Sequence, residues 1–144
     1  MIRIVSHYYS HRYSDVPADI ICCRHVLEHI QDPLSFLRGL VGSNKARDPV
    51  YFFEVPDFSW SLLESAFWDV YHEHCTYFSS TSLRFLFSVS GFRVLQIRNG
   101  FYGQYLLLEL ERYASFVTPG SCIVVFDGLM RILADAPNCK SEWA

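Results

Sequence analysis

Apolar residues along this chain fall into short uninterrupted runs separated by polar punctuation. Ile2-Arg3-Ile4-Val5 is a first strand-length run, and the polar, tyrosine-rich residues 6–17 read as a loop. Two later runs, Ala18-Asp19-Ile20-Ile21-Cys22-Cys23 and Pro49-Val50-Tyr51-Phe52-Phe53-Glu54-Val55-Pro56, are continuous rather than alternating. That pattern suits strands buried on both faces, as in a parallel sheet. Between them, residues 24–30 fit one helical turn. Asp32 as N-cap and Pro33 at the first helical position then start a helix with Leu34, Phe36, Leu37, Leu40 and Val41 on its apolar face. Asp57 or Ser59 caps a helix reaching about Phe67, and Ser79-Ser80-Thr81-Ser82 caps another over residues 83–89. Residues 92–98 alternate apolar with polar, as a half-exposed strand does. The turn signal Asn99-Gly100 and a further strand over 103–110 make these two an antiparallel hairpin. Farther on, Pro119-Gly120 marks a turn, 121–126 a strand and 128–134 a short helix broken by Ala136-Pro137-Asn138. Strands alternating with helices predict an α/β fold with right-handed crossovers and a closing hairpin. The domain is expected over 1–112, with 113–144 a tail of unassigned role.

Composition narrows the classes of function. A chain of 144 residues is one domain's worth, and with 51% apolar and 17% aromatic residues it has ample material for a core. A formal charge of −3 without a basic block argues against nucleic-acid binding. No apolar run has the length of a membrane span, and the N-terminus turns polar too early for a signal peptide. Five cysteines, with no C-x-x-C pair, fit reduced thiols and a cytoplasmic setting.

Chemistry concentrates in Trp68-Asp69-Val70-Tyr71-His72-Glu73-His74-Cys75-Thr76-Tyr77-Phe78. Histidine titrates near neutral pH, and a neighbouring carboxylate can orient it for proton transfer. If this segment is extended, Tyr71 and Glu73 share a side, and a turn is needed to bring His74 to them. A second candidate is Arg24-His25-Val26-Leu27-Glu28-His29, at the carboxyl end of a buried strand, where open α/β sheets gather their ligands. On a helix, His25 and His29 would share a face. His-x-x-Glu-His is also the motif of one class of zinc peptidases, with Glu28 as base. A strand directly before it and Asp32-Pro33 directly after leave under two helical turns, so zinc is set aside and no metal is expected. Gly103-Gln104-Tyr105 is a third candidate, because glycine permits close backbone approach and Gln104 both donates and accepts.

Taken together, these segments resemble the S-adenosylmethionine-dependent C-methyltransferases that act on nucleotide-linked keto-deoxysugars. The likeness rests on Cys23-Arg24-His25-Val26-Leu27-Glu28-His29-Ile30 with Asp32-Pro33, on Phe53-Glu54-Val55-Pro56-Asp57, on residues 68–78, on Gly91-Phe92-Arg93-Val94 and on Gly103-Gln104-Tyr105-Leu106. The Tyr-x-Glu-His-x-x-Tyr-Phe piece is the most specific. The resemblance implies a partial Rossmann-like methyltransferase sheet and methyl transfer to carbon beside a ketone, with S-adenosylmethionine as cofactor and a small molecule as substrate. It implies His74 as general base, Glu73 orienting it or contacting the sugar, and Tyr71 and His25 lining the sugar site, with Gln104 in the same pocket. Members of that family carry a glycine-rich cofactor loop, whereas this chain has seven glycines and no G-x-G. The cofactor-binding residues are therefore unassigned. The expectation is a fragment, inactive alone, whose missing N-terminal strands leave a sheet edge open to a partner chain or a second copy.

Overall fold

The computed structural model describes residues 2–10, 13, 16–43, 48–113, 122–126 and 129–133. Its sheet is built around two parallel strands, β2 (Ile20–Arg24) and β3 (Val50–Pro56), paired so that Arg24 lies beside Glu54. Both are the continuous apolar runs of the sequence, and Ile21, Tyr51, Phe53 and Val55 are fully buried in them.

The helix between them, α1 (Pro33–Gly42), starts as its sequence predicts: Asp32 accepts a hydrogen bond from the Ser35 N–H at 3.0 Å, with Pro33 in the first turn. After β3, Asp57 caps the short α2 (Phe58–Leu63) by accepting from the Ser59 N–H. This helix stops at Leu63 rather than near Phe67, because Ser65 takes a left-handed φ of 54°. A separate tight turn over Phe67–Asp69 follows.

The third helix, α3 (Ser80–Val89), carries a complete capping box between Ser79 and Ser82. It packs Leu83 and Phe87 onto the sheet, where Phe87 meets Phe53 edge-on at 4.9 Å. Ser79→Ala removes the cap and is expected to lower stability by about 1 kcal/mol. Urea unfolding checks this, and an unchanged midpoint would show that the cap contributes nothing.

The expected hairpin is present as β4 (Phe92–Gly100) and β5 (Tyr105–Arg112), with Asn99 and Gly100 still in β4 and the reversal at Phe101–Gly103. β5 lies antiparallel to β3, so that its first residue, Tyr105, faces Pro56. The ends of β2 and β3 and the start of β5 therefore converge at one rim of the sheet.

The opposite side of β2 departs from expectation. The edge expected to stand open is paired by β6 (Cys122–Phe126), which runs parallel to β2. β7 (Leu129–Leu133) lies antiparallel to β6, and β1 (Ile2–Val5) antiparallel to β7. The sheet order is β1-β7-β6-β2-β3-β5-β4. Leu-Met-Arg-Ile-Leu, read as part of a helix, is a strand here. A five-residue apolar run is ambiguous by itself, and ladders on both sides decide it. The turn at Pro119-Gly120 and the break at 136–138 lie outside the described residues.

Candidate active site

The convergence of strand ends sets the site. Directly after β2, His25 adopts a left-handed φ of 52°, a conformation uncommon outside glycine, and its N–H bonds the Glu54 carbonyl at 3.0 Å. Its ring then turns back, with Nε2 2.8 Å from Glu54 Oε1 and Nδ1 3.8 Å from Glu28 Oε1. The first distance is a charge-assisted hydrogen bond and the second is too long for one. Arg24 holds the same Glu54 carboxylate through Nε and Nη2 at 2.8 and 2.9 Å.

Glu28 and Glu54 together raise the His25 pKa to about 9, so at neutral pH the ring is an imidazolium. Burial pushes Glu54 up, but its bonds to His25 and Arg24 more than offset this and leave it lowered. Tyr105 presents its ring edge-on to His25 at 4.9 Å, and burial raises its phenol.

The second wall is the loop at 71–78, stitched onto the tight turn Leu27–His29 that follows His25. The Glu28 carbonyl accepts the N–H groups of Cys75 and Thr76 at 2.8 and 3.1 Å. His29 Nδ1 donates to the Glu73 carbonyl at 3.0 Å. Between Tyr71 and His74 the backbone turns, with the His74 N–H on the Tyr71 carbonyl at 3.2 Å. The extended reading of 71–73 is thereby corrected, and the turn is what folds His74 against Tyr71, ring centroids 5.0 Å apart. The His29 ring also packs against His74, at 4.8 Å. Burial foremost lowers the His74 pKa, and the neighbouring His29 adds to this, which favours the neutral form of the His74 imidazole.

A third group closes the floor. Asp69 is buried and accepts from Gln104 Nε2 at 3.3 Å and from the Ser61 hydroxyl at 3.4 Å. The Gln104 carbonyl accepts the Asp57 N–H at 2.9 Å, tying the hairpin to the end of β3. Gly103 has φ 98°, and a Cβ there would come within 3.0 Å of the Trp60 ring, so glycine is required for this approach.

Of the residues singled out from sequence, the structure brings His25, Tyr71, His74 and Gln104 to this rim. The Glu73 side chain is exposed, and it is its carbonyl that is engaged, with His29 rather than His74. His25 and His29 do not share a helical face, because His25 lies outside the turn in a left-handed conformation. The paired mid-helix histidines of the zinc-peptidase reading are therefore not formed. Glu54 and Asp69 were given no role by sequence reasoning. A lone carboxylate inside the run Tyr51-Phe52-Phe53-Glu54-Val55 was the available signal, since buried charges are kept only with partners.

A protein-family model described as a methyltransferase domain matches residues 5–97. The chain belongs to this methyltransferase family. Among solved structures, the mitomycin 7-O-methyltransferase MmcR is similar with a TM-score of 0.53 and 19% identity, over 69% of this chain and 32% of that one. The small RNA methyltransferase HEN1 is similar with a TM-score of 0.54 and 16% identity, over 77% of this chain and 15% of that one. At such identities the likeness is one of fold, and the chain spans under a third of either protein's length. No curated protein matches it in sequence. Among the described residues no helix is long and apolar enough to cross a membrane.

S-adenosylmethionine is the cofactor of a methyltransferase domain of this kind. The described residues do not form a cradle for it. Their five glycines lie in α1, at the α3–β4 turn and in the β4–β5 hairpin, and none follows β1 or β2. At the end of β2, the Arg24 guanidinium and His25 Nε2 are engaged with Glu54 rather than open to a nucleoside.

Proposed function

We propose that this chain carries the acceptor side of a C-methyltransferase acting on carbon beside a ketone, in a nucleotide-linked keto-deoxysugar or a similar small molecule. The observation that carries the reading is one rim with a clamped imidazolium, His25, and a neutral imidazole, His74, on either side of Glu28. A carbon acid needs both a proton acceptor and a cation for the oxygen that becomes an enolate. His74 takes the α-proton on its free lone pair. The developing oxyanion is met by His25 Nδ1–H, whose Glu28 neighbour stands beyond hydrogen-bond reach at 3.8 Å. In this reading Tyr71 borders the same space, Gln104 fixes its floor through Asp69, and the exposed Glu73 carboxylate takes the sugar hydroxyls.

Deprotonation can be tested without the methyl donor. The hydrogen beside the ketone of a nucleotide-linked keto-deoxysugar is expected to exchange with D2O faster in the presence of the chain, read by proton NMR. An exchange rate equal to that in buffer, with the chain folded by circular dichroism, would refute the reading.

A further inference from the structure

We infer that Glu28, His29 and His74 form a binding site for a divalent first-row transition ion, zinc foremost. One ligand atom from each of the three lies within 4.8 Å of the others. Two independent features point to a cation. Glu28 is 2% exposed, and its Oε2 is buried without a hydrogen-bond partner, an arrangement native proteins rarely leave uncompensated. His29 Nδ1 faces a carbonyl, which can only accept, so the proton sits on Nδ1 and the Nε2 lone pair is free. That backbone-carbonyl contact is the one that orients metal-binding histidines. His74 lines a cleft with Glu28, Asp69 and Thr76.

Two imidazoles and one carboxylate suit zinc, cobalt or iron(II) rather than calcium or magnesium, and leave open coordination positions facing the cleft. Zinc bonds of about 2.0–2.2 Å put tetrahedral donors about 3.4 Å apart, so donor atoms now within 4.8 Å of one another close by at most about 1.4 Å on binding. This goes beyond the proposed function and also constrains it. A cation held here takes the lone pair that His74 would offer to the α-proton, so metal and carbon acid compete for one nitrogen.

The test is titration of the full, chelator-stripped chain with Co2+, followed by its visible absorption. One equivalent is expected to bind. Glu28→Gln and His29→Ala are each expected to weaken binding by at least about 100-fold, more than the 10–100-fold typical of outer-shell changes. The exposed neighbour His72 serves as control, and His72→Ala is expected to bind as the parent does. The inference is overturned if Co2+ binds below stoichiometry. It is equally overturned if both variants, folded by circular dichroism, bind as the parent does. A sulfur-to-cobalt charge-transfer band abolished by Cys75→Ser would also overturn it, since Cys75 Sγ lies 3.4 Å from the His29 carbonyl. None of these readouts depends on proton exchange, so the site and the proposed reaction stand or fall separately.

Discussion

Replacing Glu54 with glutamine is expected to lower the stability of the folded chain by about 3 kcal/mol, the low end for breaking a buried ion pair. Glu54 is 1% exposed and takes three short hydrogen bonds, two from Arg24 and one from His25. Glutamine has nearly the same shape, so packing is kept and the change is electrostatic. It leaves a guanidinium and an imidazolium side by side at the end of β2 with their carboxylate gone. Both cations retain some exposure, which holds the effect at the low end of the range. With a urea dependence of about 2 kcal/mol per molar, the midpoint should fall by about 1.5 M. The pH dependence gives an independent check. A carboxylate whose folded pKa is lowered stabilises above its unfolded value and loses that contribution as pH falls through the folded one. The gap between parent and Glu54→Gln should therefore be full at pH 7 and close below about pH 4. Equal midpoints at pH 7 would mean that Glu54 does not hold this rim together.

What could be read from the sequence is what local chemistry decides. Asp32 with Pro33, and Ser79 with Ser82, satisfy helix N-termini within three residues of themselves, so their effect is written in adjacent letters. The continuous runs at Ile20–Arg24 and Val50–Pro56 announce burial without any knowledge of their partners. What could not be read depends on pairings distant in the chain. His25 takes its left-handed turn because a parallel register sets Glu54 beside Arg24, and no local signal requires that conformation. Glu28 looks like a solvated turn residue in sequence. It is buried because residues 75 and 76, nearly fifty positions later, bind its carbonyl and cover it. The strand at Leu129–Leu133 has the same cause, a ladder partner that local propensity does not reveal.

The sharpest expectation about chemistry is that His74→Ala loses proton exchange at the carbon beside the ketone by about 10²–10⁴-fold, the usual contribution of a positioned general base. The geometry makes the effect specific. His74 is partly exposed and bears none of the sheet's packing, while its loop is held by the backbone bonds of Cys75 and Thr76 to Glu28, which alanine at 74 leaves in place. The variant should therefore fold as the parent does, and its affinity for the nucleotide-linked sugar should change little, because the proposed function gives the sugar contacts to other residues of the rim. Rate lost with binding kept is the signature of a group acting in the transition state. Loss of binding in parallel with rate would instead make His74 a substrate-holding residue and move the base elsewhere on the rim. Glu73→Gln separates these cases further. A side chain that contacts the sugar should weaken binding when neutralised, whereas the carbonyl that orients His29 is unaffected by that change. If Glu73→Gln matched His74→Ala in rate and left binding intact, the carboxylate would be the proton acceptor, and His74 would be left free for the cation that Glu28 and His29 are arranged to share.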